Sequence, residues 1–228
     1  MLEFLDSVST LETHGFYVIV RRGDSDYPAL FDERALANLL YLTYALGEVN
    51  HFEVIHGYTD FVGSPLLAAG ASAICTGWYQ SLRQFGPKQF IPSDGGHQAR
   101  PRYTSRQLAN SILVNPEMAS IYSKGMISAV ISGTKYDSVL KSGPAGATWS
   151  QRQSYLHHWS ALSELVSRIQ LKDPIKKRLA LVEQLADAAE ATYGTLVKAG
   201  VPFRLPSGPR NLACWRNALK LFKADANL

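Results

Sequence analysis

The chain has 228 residues, 46% hydrophobic and 18% charged, with a formal net charge of +4. That composition is globular and excludes a disordered chain, and no apolar run reaches the roughly 20 residues that span a bilayer. No basic segment precedes an apolar start, so the expectation is a non-secreted, cytoplasmic protein without a membrane partner, built as one domain or as one domain with a helical appendage.

Leu2, Leu5, Val8 and Leu11 recur at about helical spacing and predict an opening helix, which Gly15 breaks. Phe16 to Val20 is a continuous apolar run rich in aromatic and β-branched residues, the pattern of a strand covered on both faces. Asp24 to Leu30 reads as a loop. Asp32 then reads as the N-cap of a helix carrying Leu36, Leu39, Leu40 and Leu46, with Gly47 as its stop.

Phe52 to His56 predicts a second strand. Ser64-Pro65 opens a brief helix that Gly70 ends, and Ala71 to Gly77 predicts a third strand. Helix and strand therefore alternate three times, which implies right-handed crossovers and a parallel sheet.

Beyond Thr76 the strand signals fade. Trp78 to Phe85 reads as the start of a helix. Residues 86–104, with their prolines and glycines, read as a long loop containing the flexible turn Asp94-Gly95-Gly96-His97. Ser105 to Leu113 and Pro116 to Ile131 read as helices, and Ser142 to Gly146 as a hinge. Tyr155, Trp159, Leu162, Val166 and Ile169 form one helical seam. Ile175, Leu179, Val182, Ala186, Ala189, Tyr193 and Leu196 form a second.

Lys172-Asp173-Pro174 makes the corner of this expected antiparallel hairpin, about residues 148–198. After a Pro/Gly-rich loop, Asn211 to Lys223 is a basic terminal helix. The fold class is thus α/β: a parallel β/α half-barrel of about three strands over residues 1–85, then an all-helical region over 105–228.

Charge divides unevenly. Residues 1–70 hold ten acidic and three basic side chains, whereas residues 71–228 hold nine acidic and twenty basic ones. Such a split suits an anionic partner for the basic part, or two complementary surfaces that meet in an oligomer. Cys75 and Cys214 lie in no zinc-like or C-x-x-C spacing. Cys75 sits in an apolar run that predicts a buried thiol, and the pair fits a reducing compartment.

Three parallel strands do not close a barrel, and they leave edges that proteins seldom leave bare. Either the C-terminal helices cover the sheet, or a partner chain or second copy completes it. The alternation over residues 1–85 resembles the closing half of a (β/α)8 barrel. So do the loop His56-Gly57-Tyr58-Thr59-Asp60-Phe61-Val62-Gly63 and the segment Gly70 to Trp78. These two segments are also similar to the barrel-type "beta family" proteins of phages and bacteria. That resemblance implies a phage or host-defence setting, although the chain has no counterpart of an N-terminal half.

Ligands of parallel α/β folds meet the carboxyl ends of the strands. This rule selects Arg22, then His56, Tyr58 and Asp60, then Thr76, Trp78, Tyr79 and Arg83. His56 and Asp60 make a candidate acid/base pair, and the remainder could hold a phosphate or a base. The plainer readings are a hydrogen-bonded core histidine, a turn-capping aspartate, aromatics packed under the long loop and a solvated arginine. Arg100 and Arg102 lie in a basic, aromatic-bearing stretch suited to phosphates, and Arg204, Arg210, Arg216 and Lys220 make the terminal stretch basic.

His157 and His158 are adjacent on a helix and point apart, so they predict no shared metal. No dinucleotide, Walker, zinc-protease or nucleophile-elbow motif occurs, and no cofactor is expected. Three functions remain. The first is a complex subunit binding a nucleotide or nucleic acid at the strand ends. The second is an enzyme with an interface-completed site using His56 and Asp60. The third is a nucleic-acid binder using the basic terminal helix.

Overall fold

The structure is a computed structural model that describes residues 2–22, 31–86, 90–91, 99–144 and 148–228. The loop expected at 24–30, much of the expected long loop with its Asp94–His97 turn, and Ala145 and Gly146 of the expected hinge lie outside the described residues. The chain is α/β, with a three-stranded parallel sheet and helices in its N-terminal part and a mostly helical region after it. It forms two compact units. One comprises Met1–Phe90, Val166–Gln184 and Arg210–Leu228, and the other Ile91–Leu165 and Leu185–Pro209.

In the first unit the order is α1 (Leu2–Ser9), β1 (Gly15–Ile19), α2 (Glu33–Tyr44), β2 (Glu53–Gly57), α3 (Gly63–Ala68) and β3 (Ala73–Ile74). The strands lie side by side as β1-β2-β3, all parallel. Phe16 stands beside Val54, Val18 beside His56, and His56 beside Ile74. Because side chains alternate along a strand, these five share one face, and Tyr17, Ile19, Ile55 and Ala73 share the other.

The first face is packed. Leu5, Leu46 and Val54 form a buried cluster against which Phe16 and Val18 rest. The second face is open: Tyr17 is 55% and Ile19 42% exposed. The expectation of a β1 covered on both faces is therefore corrected, since only alternate residues of its apolar run reach the core. Cys75 is corrected too. It is exposed beside Tyr17, whereas Cys214 is the buried thiol.

Asp32 caps α2 as expected, its carboxylate accepting from the Arg34 and Ala35 amides at 3.0 Å each. Gly47 does not stop the helix. The chain continues over it as a wider turn, Ala45–Val49. A Cβ at Gly47 would overlap the Gly70 carbonyl oxygen, so this glycine serves a close backbone approach. Gly70, at φ +118°, ends α3. The basic terminal helix exists as α8 (Arg210–Ala226). It packs on α2 through buried Leu212, Trp215, Leu219 and Phe222, with the Phe222 ring 5.8 Å from that of Tyr44.

The second unit corrects the all-helical expectation for the C-terminal region. Ser105 to Leu113 is not a helix but part of an antiparallel hairpin, β4 (Arg102–Ser105) and β5 (Asn110–Leu113). Leu108 and Ile112 mimic helical spacing, but Leu108 sits in the turn and Ile112 in the strand, and Ala109 takes φ +45° at the turn's end. The long helix expected from Pro116 shrinks to α4 (Ala119–Ser123), ended by Gly125 at φ +69°. A short α5 (Ser138–Lys141) follows.

The two long helices, α6 (Gln151–Gln170) and α7 (Ile175–Lys198), stand where the apolar periodicity put them. The α7 seam is buried from Leu179 to Leu196. The α6 seam is rotated from its expected position. Trp159 is 41% exposed, and His157, His158, Ala161 and Leu165 are buried with Leu162 and Ile169.

Candidate functional site

The carboxyl ends of the strands gather several of the residues that the sequence singled out. Arg22 extends beyond β1, and one of its terminal nitrogens donates to the carbonyls of Arg83 (2.6 Å) and Tyr58 (3.3 Å). Its other terminal nitrogen lies 3.4 Å from the Asp60 carboxylate. Arg83, also buried, donates to the carbonyls of Gly77 (3.0 Å) and Trp78 (3.1 Å). Both guanidinium groups thus tie loops together. The Tyr58 ring packs edge-on against Phe85, 5.3 Å away. Thr76 is half-buried, and Trp78 and Tyr79 form an exposed edge-to-face pair.

His56 and Asp60 engage different partners. Asp60 accepts from the Val62 amide (2.9 Å) besides Arg22, and so fixes the turn into α3. His56 belongs to the packed face of the sheet, where its Nε2 meets the Thr43 hydroxyl of α2 at 2.9 Å. That hydroxyl donates its own proton to the Leu39 carbonyl, 2.7 Å away, so it accepts from His56 Nε2–H. Burial lowers the His56 pKa to about 4, which keeps the ring neutral at pH 7. The cleft that His56 lines with Arg22, Phe31, Tyr58 and Val62 has a free volume of about 10 Å³, room for about one water.

A larger cleft lies in the second unit. It measures about 470 Å³ and is lined by Arg100, Pro101, Val114, Asn115, Pro116, Pro144 and Trp149. This size suits a small ligand. Arg100 is exposed and has no hydrogen-bond or ion-pair partner among the described residues. Trp149 is anchored by its indole N–H to the Ser154 hydroxyl (2.9 Å). Arg102 faces elsewhere, donating to the Ser111 carbonyl (2.7 Å) and the Ser207 hydroxyl (3.0 Å).

The sequence reading missed a buried polar network in the same unit. Tyr103 and Thr134 donate to Asp137 Oδ1 at 2.9 and 3.1 Å, and the Gly133 and Thr134 amides donate to Oδ2. His157 bonds Thr134 Oγ1 through Nδ1 and the Thr104 carbonyl through Nε2, both at 2.9 Å, and stacks on the Tyr103 ring. Burial, opposed by the Thr104 carbonyl and Asp137, lowers the His157 pKa. His158 bonds the Thr104 hydroxyl. Both histidines thus reach Thr104, His157 its carbonyl and His158 its hydroxyl, and among the described residues no group of three or more His, Cys, Asp or Glu is placed to hold a metal. Glu117, fully buried, accepts from the Leu113 (2.6 Å) and Arg204 (2.7 Å) amides. Only the excess of Ser, Thr and His in these segments hinted at such a core.

The terminal cations are placed unevenly. Arg204, Arg210 and Lys220 are exposed and Arg216 is half-buried, while Lys223 pairs with Glu183 on α7. Two further polar contacts join α8 to α2: Asn217 donates to Glu33, and Asp225 pairs with Arg34. No helix among the described residues is long and apolar enough to cross a membrane. No family model, curated protein or solved structure matches this chain.

Proposed function

We propose that this chain is a subunit that self-associates, a second copy covering the open face of its parallel sheet. The observation that carries this reading is the exposure of Tyr17 and Ile19 on a three-stranded parallel sheet whose other face is packed. Parallel sheets are ordinarily covered on both faces, and in a barrel the uncovered face would be the interior. The half-barrel reading and the phage-type resemblance rest on the helix–strand alternation and on the segments quoted above. The strand ends carry opposite charge, with Glu12 and Glu53 at the amino ends and Arg21 beyond the carboxyl end of β1. A two-fold axis across the strands would set each acidic end against a basic one, so one patch serves both copies.

Light scattering over a concentration series tests this. The expectation is a mass above 25.1 kDa that Tyr17→Lys and Ile19→Lys reduce to the monomer. A wild-type chain that stays monomeric at high concentration refutes self-association, and a chain soluble only with a different protein points to a hetero-complex instead.

A second reading, binding of a small anionic ligand such as a nucleotide, draws on Arg100. The strand-end arginines are engaged by carbonyls, whereas Arg100 opens into a cleft of ligand size. Titration with inorganic phosphate and a nucleoside triphosphate, read by tryptophan fluorescence, should saturate in the wild type and not in Arg100→Ala. The enzymatic alternative would need His56 to exchange protons near neutral pH, whereas burial lowers its pKa to about 4.

A further inference from the structure

The last turn of α6 and the first turn of α7 enclose a corner crowded with positive charge. Arg168, Lys172, Lys176 and Lys177 lie within ten residues there. All four side chains are exposed, and none has an ion-pair or hydrogen-bond partner among the described residues. Arg178, the next cation, is different: it pairs with Glu48 and reaches the Ala68 carbonyl. The acid at the corner, Asp173, is 90% exposed and lies 3.9 Å from Arg178.

This arrangement runs against helix electrostatics. The amino end of a helix carries partial positive charge and favours acids in its first turn. α7, a helix of 24 residues, has no acid there and carries Lys176 and Lys177 instead. Its first free amides add to the same positive field. Among the described residues no contact offsets the placement of Lys176 and Lys177.

α8, the basic helix most conspicuous in the sequence, offers less. Lys223 is paired with Glu183, and Arg216 has contacts within the chain. That leaves Arg210 and Lys220, ten residues or about 15 Å apart along the helix.

We propose that the α6–α7 corner binds the phosphodiester backbone of a nucleic acid without reading its sequence. Cations and helix-end amides are the groups that hold phosphates. Residues 168–177 hold no aromatic side chain to stack on a base, and their one amide side chain, Gln170, donates to the Ser72 carbonyl (2.9 Å). An anionic bilayer would favour a broad apolar face beside the cations, and here the exposed apolar side chains are two, Leu171 (83% exposed) and Pro174.

Fluorescence anisotropy of a labelled duplex of about 20 base pairs, against the full chain at about 50 mM salt, tests the proposal. Four phosphate contacts predict that log K falls against log salt with a slope of about −3.6. The charge reversal K172E/K176E/K177E should weaken binding more than about tenfold and bring the slope toward about −0.9, the value for one remaining contact. Glutamates in the first turn of α7 suit the helix dipole, so the melting temperature of this variant should not fall, and lost binding then cannot be lost fold. The control R210E/K220E should change affinity by less than about threefold. The proposal is overturned if the duplex does not bind, if the triple variant binds as the wild type does, or if the α8 control carries the loss. It is equally overturned if vesicles rich in anionic phospholipid bind while the duplex does not.

Discussion

Lowering the pH from 7 to 5 should cost the fold about 2 kcal/mol through His56 alone. The ring is 2% exposed, and burial holds its pKa near 4 against an ordinary 6.5. A folded value below the unfolded one means that the fold favours the neutral ring. Its contribution is whole above about pH 6.5 and is lost as the pH falls toward about 4. At about 1.36 kcal/mol per pH unit, the full span amounts to about 3 kcal/mol, and linkage places about 2 kcal/mol of it above pH 5.

Urea unfolding of the wild type and of His56→Leu at both pH values isolates this term. Contributions from all other groups are common to the two proteins and cancel in the difference. The wild type should lose about 2 kcal/mol more than the variant between pH 7 and 5. The His56 ring proton observed by NMR should shift with a midpoint near pH 4. Equal losses in the two proteins, or a midpoint near the ordinary 6.5, would refute the reasoning. They would also return His56 to the list of groups able to exchange a proton at neutral pH.

Other perturbations give signed outcomes. Asp32→Ala removes the acceptor for two amides at the start of α2 and should lower stability by about 1 kcal/mol, read by thermal melting. Gly47→Ala places a Cβ against the Gly70 carbonyl oxygen and should destabilise by about 1–3 kcal/mol, whereas Gly86→Ala, which meets no atom, should change little. Glu117→Ala leaves the Leu113 and Arg204 amides without their acceptor and should cost more than about 2 kcal/mol, with Glu117→Gln recovering part of it.

The order and type of the N-terminal elements were legible because each rests on local chemistry. A capping aspartate at position 32, helix-ending Gly70 and short β-branched runs carry their own boundaries. The α7 seam was legible because its apolar residues recur at steps of three and four from Ile175 to Leu196. The α6 seam was misread because Trp159 is the more hydrophobic residue by type. His157 and His158 are buried there instead, since Thr104 and Thr134 across the unit supply their hydrogen bonds. A histidine with satisfied nitrogens enters a core, and the satisfying partners are more than twenty residues away in sequence. The β4–β5 hairpin was missed for a related reason. Its turn and second strand place Leu108 and Ile112 four apart, a spacing that a helix would share.

The candidate site shows a sharper limit. The strand-end rule selects positions along a parallel sheet, but the direction of each side chain follows from parity within the strand. His56 shares parity with Phe16, Val18 and Val54, so it faces the helices and is kept neutral. Tyr17 and Ile55 have the opposite parity and meet the open face. A rule that names only positions therefore mixes core residues with accessible ones. The same holds for charge. Counting cations along the chain draws attention to α8, where Glu183 of α7 answers Lys223. At the α6–α7 corner the cations are as dense, and the helix dipole opposes Lys176 and Lys177. Apolar side chains on an open parallel sheet and unpaired cations at the amino end of a helix both work against the isolated chain. The two proposals answer these features with contacts of matching chemistry, an apolar one on the sheet face and an anionic one at the corner, and the mass measurement and the salt titration test them separately.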